Sequence, residues 1–184
     1  MSVTKQVKSK QRVTEFGEVN TFFQTIEHII DLVGNEAMRY DSKFLDPACG
    51  DGNFLLALFN RKLASLEGKL HKNATLCEEK LMITLGSIYG IDKLKDNIVE
   101  ARIRILKRFS DAHAKLFDSE VKKHTIRSAE YIVSKNIIFG DLLTLKNYES
   151  GNEIIFSEWF FSNMQIKKVD HRIKEGPSLP ENNT

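Results

Sequence analysis

The chain has 184 residues, of which 41% are hydrophobic and 28% are charged, and its formal net charge is only +2. These values are typical of a single globular domain and do not indicate a strongly basic or acidic binding protein. No apolar stretch approaches the roughly 20 residues that a membrane helix needs, and the polar start of the chain lacks the apolar core of a secretory signal. The two cysteines, Cys49 and Cys77, have neither metal-ligand nor redox spacing. We therefore expect a cytoplasmic protein without a membrane segment.

Basic residues cluster at the two ends of the chain. Residues 1–13 and 166–184 carry groups of lysine and arginine, and the second stretch also holds Pro177 and Pro180. We predict a flexible arm at 1–13, one folded domain over 14–165, and a basic, disordered tail at 166–184. Basic clusters of this kind are usually solvated, and contact with nucleic-acid phosphates is the alternative.

Short apolar strands alternate with amphipathic helices along the domain. Apolar residues at helical spacing predict helices, in chain order, over Thr21–Val33, from Phe54 to Leu63, over Ala74–Leu85 and from Leu94 to Phe117. Strands are predicted at Phe44–Asp46, Ser87–Asp92, Asn136–Asp141 and Glu153–Ser157, the last one continuing towards Phe161. This alternation predicts an α/β fold in which a parallel sheet has helices on both faces.

Three of the predicted strands end in an aspartate: Asp46, Asp92 and Asp141. Because an open parallel sheet binds ligands at the carboxyl ends of its strands, these side chains are expected to converge on one small molecule. A single aspartate after a strand more often starts a turn or caps a helix, and that alternative stays open for Asp92 or Asp141 taken alone.

The turn after the first strand is rich in glycine. Gly50 and Gly52 allow positive φ angles and a close approach of the backbone to a ligand. The helix that begins near Gly52 presents N–H groups without intrahelical partners, which suit a carboxylate or a phosphate. The nicotinamide fingerprint G-x-G-x-x-G would need a third glycine where Leu55 stands, and no Lys-Ser/Thr pair follows the loop. The dinucleotide fingerprint and the phosphate loop of nucleotide hydrolases are therefore excluded.

The stretch Phe44–Leu55 reads F-L-D-P-A-C-G-D-G-N-F-L and closely resembles the cofactor loop of adenine-specific DNA methyltransferases of restriction-modification systems, in which D-P-A-C-G-x-G is typical. Ile88–Asp92 resembles the second-strand motif of that family, Asn136–Leu142 its third-strand motif, and Arg12–Thr21 the segment before the loop. The resemblance covers most of the chain. It implies a Rossmann-like, S-adenosylmethionine-dependent methyltransferase fold, here truncated to four or five strands.

The resemblance also implies which residues hold S-adenosylmethionine. The backbone from Gly50 to Gly52 would bind the methionine carboxylate together with Thr21, with Asp46 near the methionine amino group. Asp92 would accept hydrogen bonds from both ribose hydroxyls, and Asp141 would accept one from the adenine amino group. The complete implied set is Thr21, Asp46, Pro47, Ala48, Cys49, Gly50, Gly52, Asn53, Asp92, Lys93, Asp141 and Leu142. The thiol in the loop is expected to be packed rather than nucleophilic, and the scattered histidines predict no metal site.

The chain departs from the family in its catalytic motif. The family has N/D-P-P-Y/F after the fourth strand, which contacts the target amino group and stacks on the extruded base. This chain has no Pro-Pro pair and reads I-F-S-E-W-F-F over 155–161. Ser157 and Glu158 are the candidates to contact an amino group, and Trp159 or Phe160 could stack on a base. The alternative is that the aromatic residues belong to the core or to an interface. A smaller departure is Thr21-Phe22, where the family usually has Thr-Pro.

These expectations give one leading function and its alternatives. The leading hypothesis is an S-adenosylmethionine-dependent, adenine-specific DNA methyltransferase, or a methylase subunit of a restriction-modification system, with DNA as its partner. The alternatives are a noncatalytic cofactor-binding or structural subunit and a methyltransferase of RNA or protein. Too few residues follow Phe161 for a target-recognition domain, and an open edge on the fourth strand would invite another chain. We therefore predict that a protein partner or a second copy covers Ile154–Phe161.

Overall fold

The computed structural model describes residues 12, 14, 21–67, 74–117, 121–162 and 165–172. The helices are α1 (Phe23–Leu32), α2 (Asn53–Glu67), α3 (Ala74–Gly86), α4 (Lys95–Phe117) and α5 (Lys123–Asn136), with a 3-10 helix at Gly34–Met38. The strands are β1 (Phe44–Asp46), β2 (Ile88–Asp92), β3 (Ile137–Asp141), β4 (Lys146–Asn147), β5 (Ile155–Ser162) and β6 (Gln165–Arg172). Within these ranges, no helix is both long enough and apolar enough to cross a membrane.

The central sheet has the strand order β1-β2-β3-β4. β1 is parallel to β2 and β2 is parallel to β3, whereas the short β4 is antiparallel to β3. The three parallel strands match their predicted bounds to within one residue. A mostly parallel sheet flanked by helices confirms the predicted α/β fold class.

The register of the sheet places its three strand-end aspartates on one face. Asp46 is opposite Gly90, so Asp92 lies two residues farther along β2. Asp92 is in turn opposite Phe139, so Asp141 lies two residues farther along β3. Side chains alternate between faces with a period of two, and paired residues share a face. The three carboxylates therefore project from the same side of the sheet, each one step beyond its neighbour.

The sheet separates two apolar clusters. Ile88 and Ile137 belong to the larger cluster, which includes Leu55 of α2, whereas Ile91 and Ile138 pack with Ile154 in a smaller one. β2 and β3 are buried almost throughout, as expected of parallel strands that are covered on both faces.

The prediction that the fourth strand, Glu153–Ser157, joins the parallel sheet is wrong. β5 occupies that stretch but pairs antiparallel with β6 along its whole length, and the two form a separate sheet. The fourth strand of the central sheet is β4, which has only two residues. The physical reason lies in the burial pattern of β5, in which Ser157 and Trp159 are buried and Phe160 is exposed. Such alternation is typical of a strand covered on one face rather than of a central parallel strand.

β6 replaces part of the predicted tail. Residues 166–172 continue this strand, whereas 173–184 lie outside the described residues, as does the predicted arm at 1–13 apart from Arg12. The β5 edge that we expected another chain to cover is paired with the chain's own β6. The stretch Ile154–Phe161 is therefore not an open edge of the central sheet, and the predicted partner chain stays a prediction.

The sequence analysis did not predict α5, the helix that precedes β3.

Lys62 of α2 is fully buried and joins three segments of the chain. Its ammonium donates to the carbonyl oxygens of Arg39 (2.8 Å) and Ser42 (2.5 Å) and to the hydroxyl of Ser87 (3.1 Å). It also lies 5.0 Å from the centroid of the Phe44 ring. Burial lowers the pKa of Lys62 from 10.5 to about 8. α2 is thereby tied to the residues that precede β1 and β2.

Gly90, in the middle of β2, is covered by the loop that follows β1. A β-carbon at this position would lie 2.6 Å from Leu55 Cδ1 and 2.8 Å from Cys49 Sγ. The absence of a side chain therefore lets Leu55 and Cys49 pack directly on the backbone of β2.

We predict that Gly90→Ala lowers the free energy of unfolding by about 1–3 kcal/mol, because the added methyl group overpacks this contact. Urea denaturation measures the change. Leu55→Ala removes the nearest clashing atom, so the double variant should lose less than the sum of the two single variants. Strict additivity, or an unchanged stability of Gly90→Ala, would contradict the close packing at this site.

We predict that wild-type protein gains stability relative to Lys62→Met between about pH 8 and pH 10.5. The folded-state pKa of Lys62 lies below its ordinary value, so in this window the unfolded chain binds more protons and raising the pH favours the folded state. The full difference corresponds to about 3 kcal/mol. Urea denaturation at several pH values measures it, and Lys95→Met, on the exposed first turn of α4, serves as the control. Parallel curves for wild type and Lys62→Met would contradict a buried ammonium.

Candidate functional site

The loop between β1 and α2 turns sharply at its glycines. Gly50 has φ 54° and Gly52 has φ 86°, which are left-handed conformations that favour glycine. The Gly52 N–H donates to the Cys49 carbonyl oxygen at 2.9 Å, and the Ala48 N–H donates to Asp46 Oδ1 at 3.2 Å. These bonds fold the loop back over the end of β1.

Two backbone groups of the loop are anchored to the carboxyl end of β2. The Cys49 N–H donates to the Ile91 carbonyl oxygen at 2.9 Å, and the Gly50 N–H donates to Asp92 Oδ2 at 3.0 Å.

Burial is the main reason that the pKa of the Cys49 thiol is raised well above its ordinary value. A buried, protonated thiol is a packed residue, as the sequence predicts, rather than a nucleophile.

The carboxylate of Asp92 joins the loop to the start of α4. Its second oxygen accepts from the Leu94 N–H at 2.8 Å and from Asn97 Nδ2 at 3.3 Å. Asn97 Oδ1 in turn accepts from the Arg12 guanidinium at 3.2 Å, and Arg12 also binds both oxygens of Asp96. Asp92 is therefore held by N–H donors in a fixed orientation at the end of β2.

The other two acids lie in different electrostatic surroundings. Burial, together with the negative charge of Asp92, raises the pKa of Asp46. Asp141 is buried and its Oδ2 lies 2.9 Å from Lys93 Nζ, and the hydrogen bond from that lysine lowers the pKa of Asp141. Asp141 Oδ1 accepts from the Leu143 N–H at 2.9 Å. Two predicted site residues, Lys93 and Asp141, thus form an ion pair across the ends of β2 and β3.

The remaining residues of the predicted cofactor set occupy the border of this site. Pro47 and Ala48 are exposed in the loop, and Asn53 begins α2. Leu142 packs against the smaller apolar cluster. Thr21 is exposed two residues before α1, and its contact with a cofactor stays a prediction.

The three residues proposed for catalysis lie away from the acids. Tyr89 and Asp92 project from opposite faces of β2, and the Tyr89 hydroxyl donates to the Ser157 carbonyl oxygen at 2.9 Å. The Ser157 hydroxyl donates to Asp170 of β6 at 2.7 Å. Trp159 is only 7% exposed and its indole N–H donates to Asn136 Oδ1 at 2.8 Å. The position of Trp159 agrees with the alternative that it is a core residue.

Glu158 is bound within a second ion-pair group. Its carboxylate pairs with Lys43, which precedes the first residue of β1, and accepts from His171 at 3.1 Å. The hydrogen bond from Lys43 lowers the pKa of Glu158. Because Asp46 ends β1 and Lys43 precedes it, the strand separates Glu158 from the acidic site.

Two residues of the site, Gly90 and Arg104, are not among the cofactor-binding residues that the sequence predicts. Gly90 gives the loop its place on β2, and a glycine inside a buried strand is a known signal of close backbone approach. Arg104 of α4 donates to the Asp51 carbonyl oxygen and to Asn53 Oδ1, both at 2.8 Å. No local pattern in the sequence distinguishes Arg104 from the other arginines of α4.

The site combines negative charge with backbone donors. Three carboxylates project from one face at adjacent strand ends, and only Asp141 has an ion-pair partner among the described contacts of the three. The N-terminus of α2 supplies N–H groups and a positive dipole end next to them. Such a site suits a ligand that carries both cationic groups and a carboxylate, and it disfavours a polyphosphate.

Comparison with known proteins agrees with this geometry. Residues 31–141, more than half of the chain, match the profile of the family described as MmeI, DNA-methyltransferase domain. No curated protein and no solved structure shows a significant match. The matched range contains the glycine loop and all three strand-end acids. The chain therefore belongs to the MmeI DNA-methyltransferase domain family, whose members are methylases of restriction-modification systems.

Proposed function

We propose that this domain binds S-adenosylmethionine at the glycine loop and transfers its methyl group to adenine in DNA. The observation that carries the proposal is the convergence of Asp46, Asp92 and Asp141 on one face beside the loop. S-adenosylmethionine has a sulfonium, an ammonium and a carboxylate, so its charges complement both the acids and the helix N-terminus. The D-P-A-C-G-D-G sequence of the loop and the family membership support the same cofactor.

Each acid has a role that its surroundings support. Asp46, with its raised pKa, gains from a cation nearby, which suits the methionine ammonium. Asp92 already accepts from three N–H donors, and a carboxylate offers about four lone-pair directions, so one direction is left for a ribose hydroxyl. The second hydroxyl would replace the long 3.3 Å bond from Asn97 Nδ2. Asp141 and Leu142 are proposed for the adenine end, with Lys93 maintaining the charge of the acid.

The chemistry that the cofactor supplies is an activated methyl group on a sulfonium. The contribution of the protein is to hold that group and the target nitrogen in line. Adenine specificity rests on the resemblance of the loop to adenine-specific enzymes. We do not extend the proposal to Ser157 and Glu158, which bind Tyr89 on the opposite face of β2 and Lys43 before β1. We also leave out Trp159, because it is buried and its indole N–H is bound to Asn136, which precedes β3.

We predict that calorimetry detects binding of S-adenosylmethionine and that Asp92→Ala weakens it by more than about 1.5 kcal/mol, or about tenfold, because charge-assisted bonding to the ribose is lost. Asp92→Asn keeps an acceptor for the Leu94 N–H and separates the effect of charge from that of fold. Asp41→Ala, whose carboxylate pairs with exposed Arg39 before β1, is the control and should bind normally. ATP should not bind, because its phosphates would meet the carboxylates. An unchanged affinity of Asp92→Ala would remove this acid from the site.

We predict that methyl-tritiated S-adenosylmethionine labels duplex DNA that contains adenine and does not label a duplex built only of G·C pairs. Digestion to nucleosides then locates the label on adenine. Glu158→Gln should retain transfer, because Glu158 is engaged by Lys43 and His171 on the far side of β1. Cofactor binding without transfer, tested with and without candidate partner subunits, would instead support the noncatalytic alternative.

A further inference from the structure

We propose that Arg104 of α4 is a positioning residue that holds the glycine loop in the conformation that receives the cofactor. The inference rests on the proposed function and deepens it, since it assigns the loop an anchor on α4 in addition to those on β2. Arg104 lies about fifty positions beyond the loop in the sequence and reaches it through the packing of α4.

The guanidinium of Arg104 binds both residues that flank Gly52. Nη1 donates to the Asp51 carbonyl oxygen at 2.8 Å and lies 3.3 Å from Asp51 Oδ1, while Nη2 donates to Asn53 Oδ1 at 2.8 Å. The Arg104 side chain is only 27% exposed, so these bonds are partly shielded from water. Because the donors of a guanidinium form a rigid planar fork, they fix Asp51 and Asn53 relative to each other.

The orientation of one peptide unit depends on this contact. In a trans peptide the carbonyl and the next N–H point in opposite directions. The Asp51 carbonyl points to Arg104, so the N–H of Gly52 is directed back into the loop, where it donates to the Cys49 carbonyl oxygen at 2.9 Å. Glycine allows this peptide to rotate at little steric cost, so an external anchor is needed to select one orientation.

Ala101, one turn before Arg104, completes the anchor. A β-carbon at Gly52 would lie only 3.0 Å from Ala101 Cβ, so the backbone of Gly52 rests on α4. α4 thus supports the loop by close packing at Gly52 and by hydrogen bonds on either side of it. β2 supports the opposite end of the loop through Ile91 and Asp92.

The same pair of helices offers a matched control. Farther from the loop, Arg108 of α4 donates to Asn60 Oδ1 of α2 at 2.5 Å, in the manner of Arg104 and Asn53. Loss of Arg108 removes a bond between α2 and α4 without touching the loop. If Arg104 only joined the two helices, the Arg104 and Arg108 variants would behave alike.

The test compares wild type, Arg104→Gln, Arg104→Lys and Arg108→Gln. The first readout needs no cofactor: the rate at which a maleimide labels Cys49, resolved from Cys77 by peptide mass spectrometry. Both thiols are buried, Cys49 in the loop and Cys77 in α3, so global opening exposes both and loop opening exposes Cys49 alone. The second readout is the affinity for S-adenosylmethionine, measured with the melting temperature of each variant.

We expect Arg104→Gln to raise the labelling rate of Cys49 and to weaken cofactor binding by about tenfold each, as the loss of charge-assisted bonds implies. Cys77 should be labelled as in wild type. Arg108→Gln should lower the melting temperature without changing Cys49 or the affinity, and Arg104→Lys should lie between wild type and Arg104→Gln.

Wild-type labelling of Cys49 in Arg104→Gln would overturn the inference, as would equal effects of the Arg104 and Arg108 variants on the loop. Failure of the proposed function has a different signature. Wild-type protein would then not bind S-adenosylmethionine, while the labelling of Cys49 would still show whether Arg104 holds the loop.

Discussion

Because Gly90 has no side chain, Cys49 and Leu55 pack against the backbone of β2, and this close contact determines where the glycine loop lies. From that position the loop reaches both the Ile91 carbonyl and the Asp92 carboxylate. A shift of the loop by even the width of a methyl group would lengthen these bonds. Packing on Gly90 and hydrogen bonding at the carboxyl end of β2 therefore fix the same loop position, and this position determines the geometry of the acidic site.

The charged groups around the loop lie on two sides of it: Asp46 and Asp92 at the strand ends, and Arg104 on α4. Beside the end of β2, burial and the negative charge of Asp92 raise the pKa of Asp46. On the α4 side, Arg104 Nη1 lies 3.3 Å from Asp51 Oδ1. Arg104 thereby compensates the charge of Asp51, whereas the negative charge of Asp46 and Asp92 stays available to a cationic ligand. Pairing of Asp51 with Arg104 therefore limits the repulsion among the three aspartates.

The parts of the site that the sequence predicts are those encoded locally. The D-P-A-C-G-D-G turn, the strand ends at Asp92 and Asp141, and the amphipathic helices each depend on residues that are neighbours in the chain. The role of Arg104 depends on how α4 packs on α2, which no local pattern specifies. The antiparallel pair of β5 and β6, here called the hairpin, was not predicted for a related reason. The charged stretch of β6 has no apolar alternation, and its strand conformation depends on its pairing with β5.

The hairpin is fixed to the domain by contacts that do not involve the loop. Trp159 packs closely on Gly86, where a β-carbon would lie 3.0 Å from Trp159 Cδ1, and Tyr89 binds the backbone of Ser157. The described anchors of the loop, in contrast, come from β2 and α4. The two described sets of contacts share no residue, so the anchors of the glycine loop do not depend directly on β5. Within the described part of the chain, the glycine loop and the β5–β6 pair are therefore held in place by separate contacts.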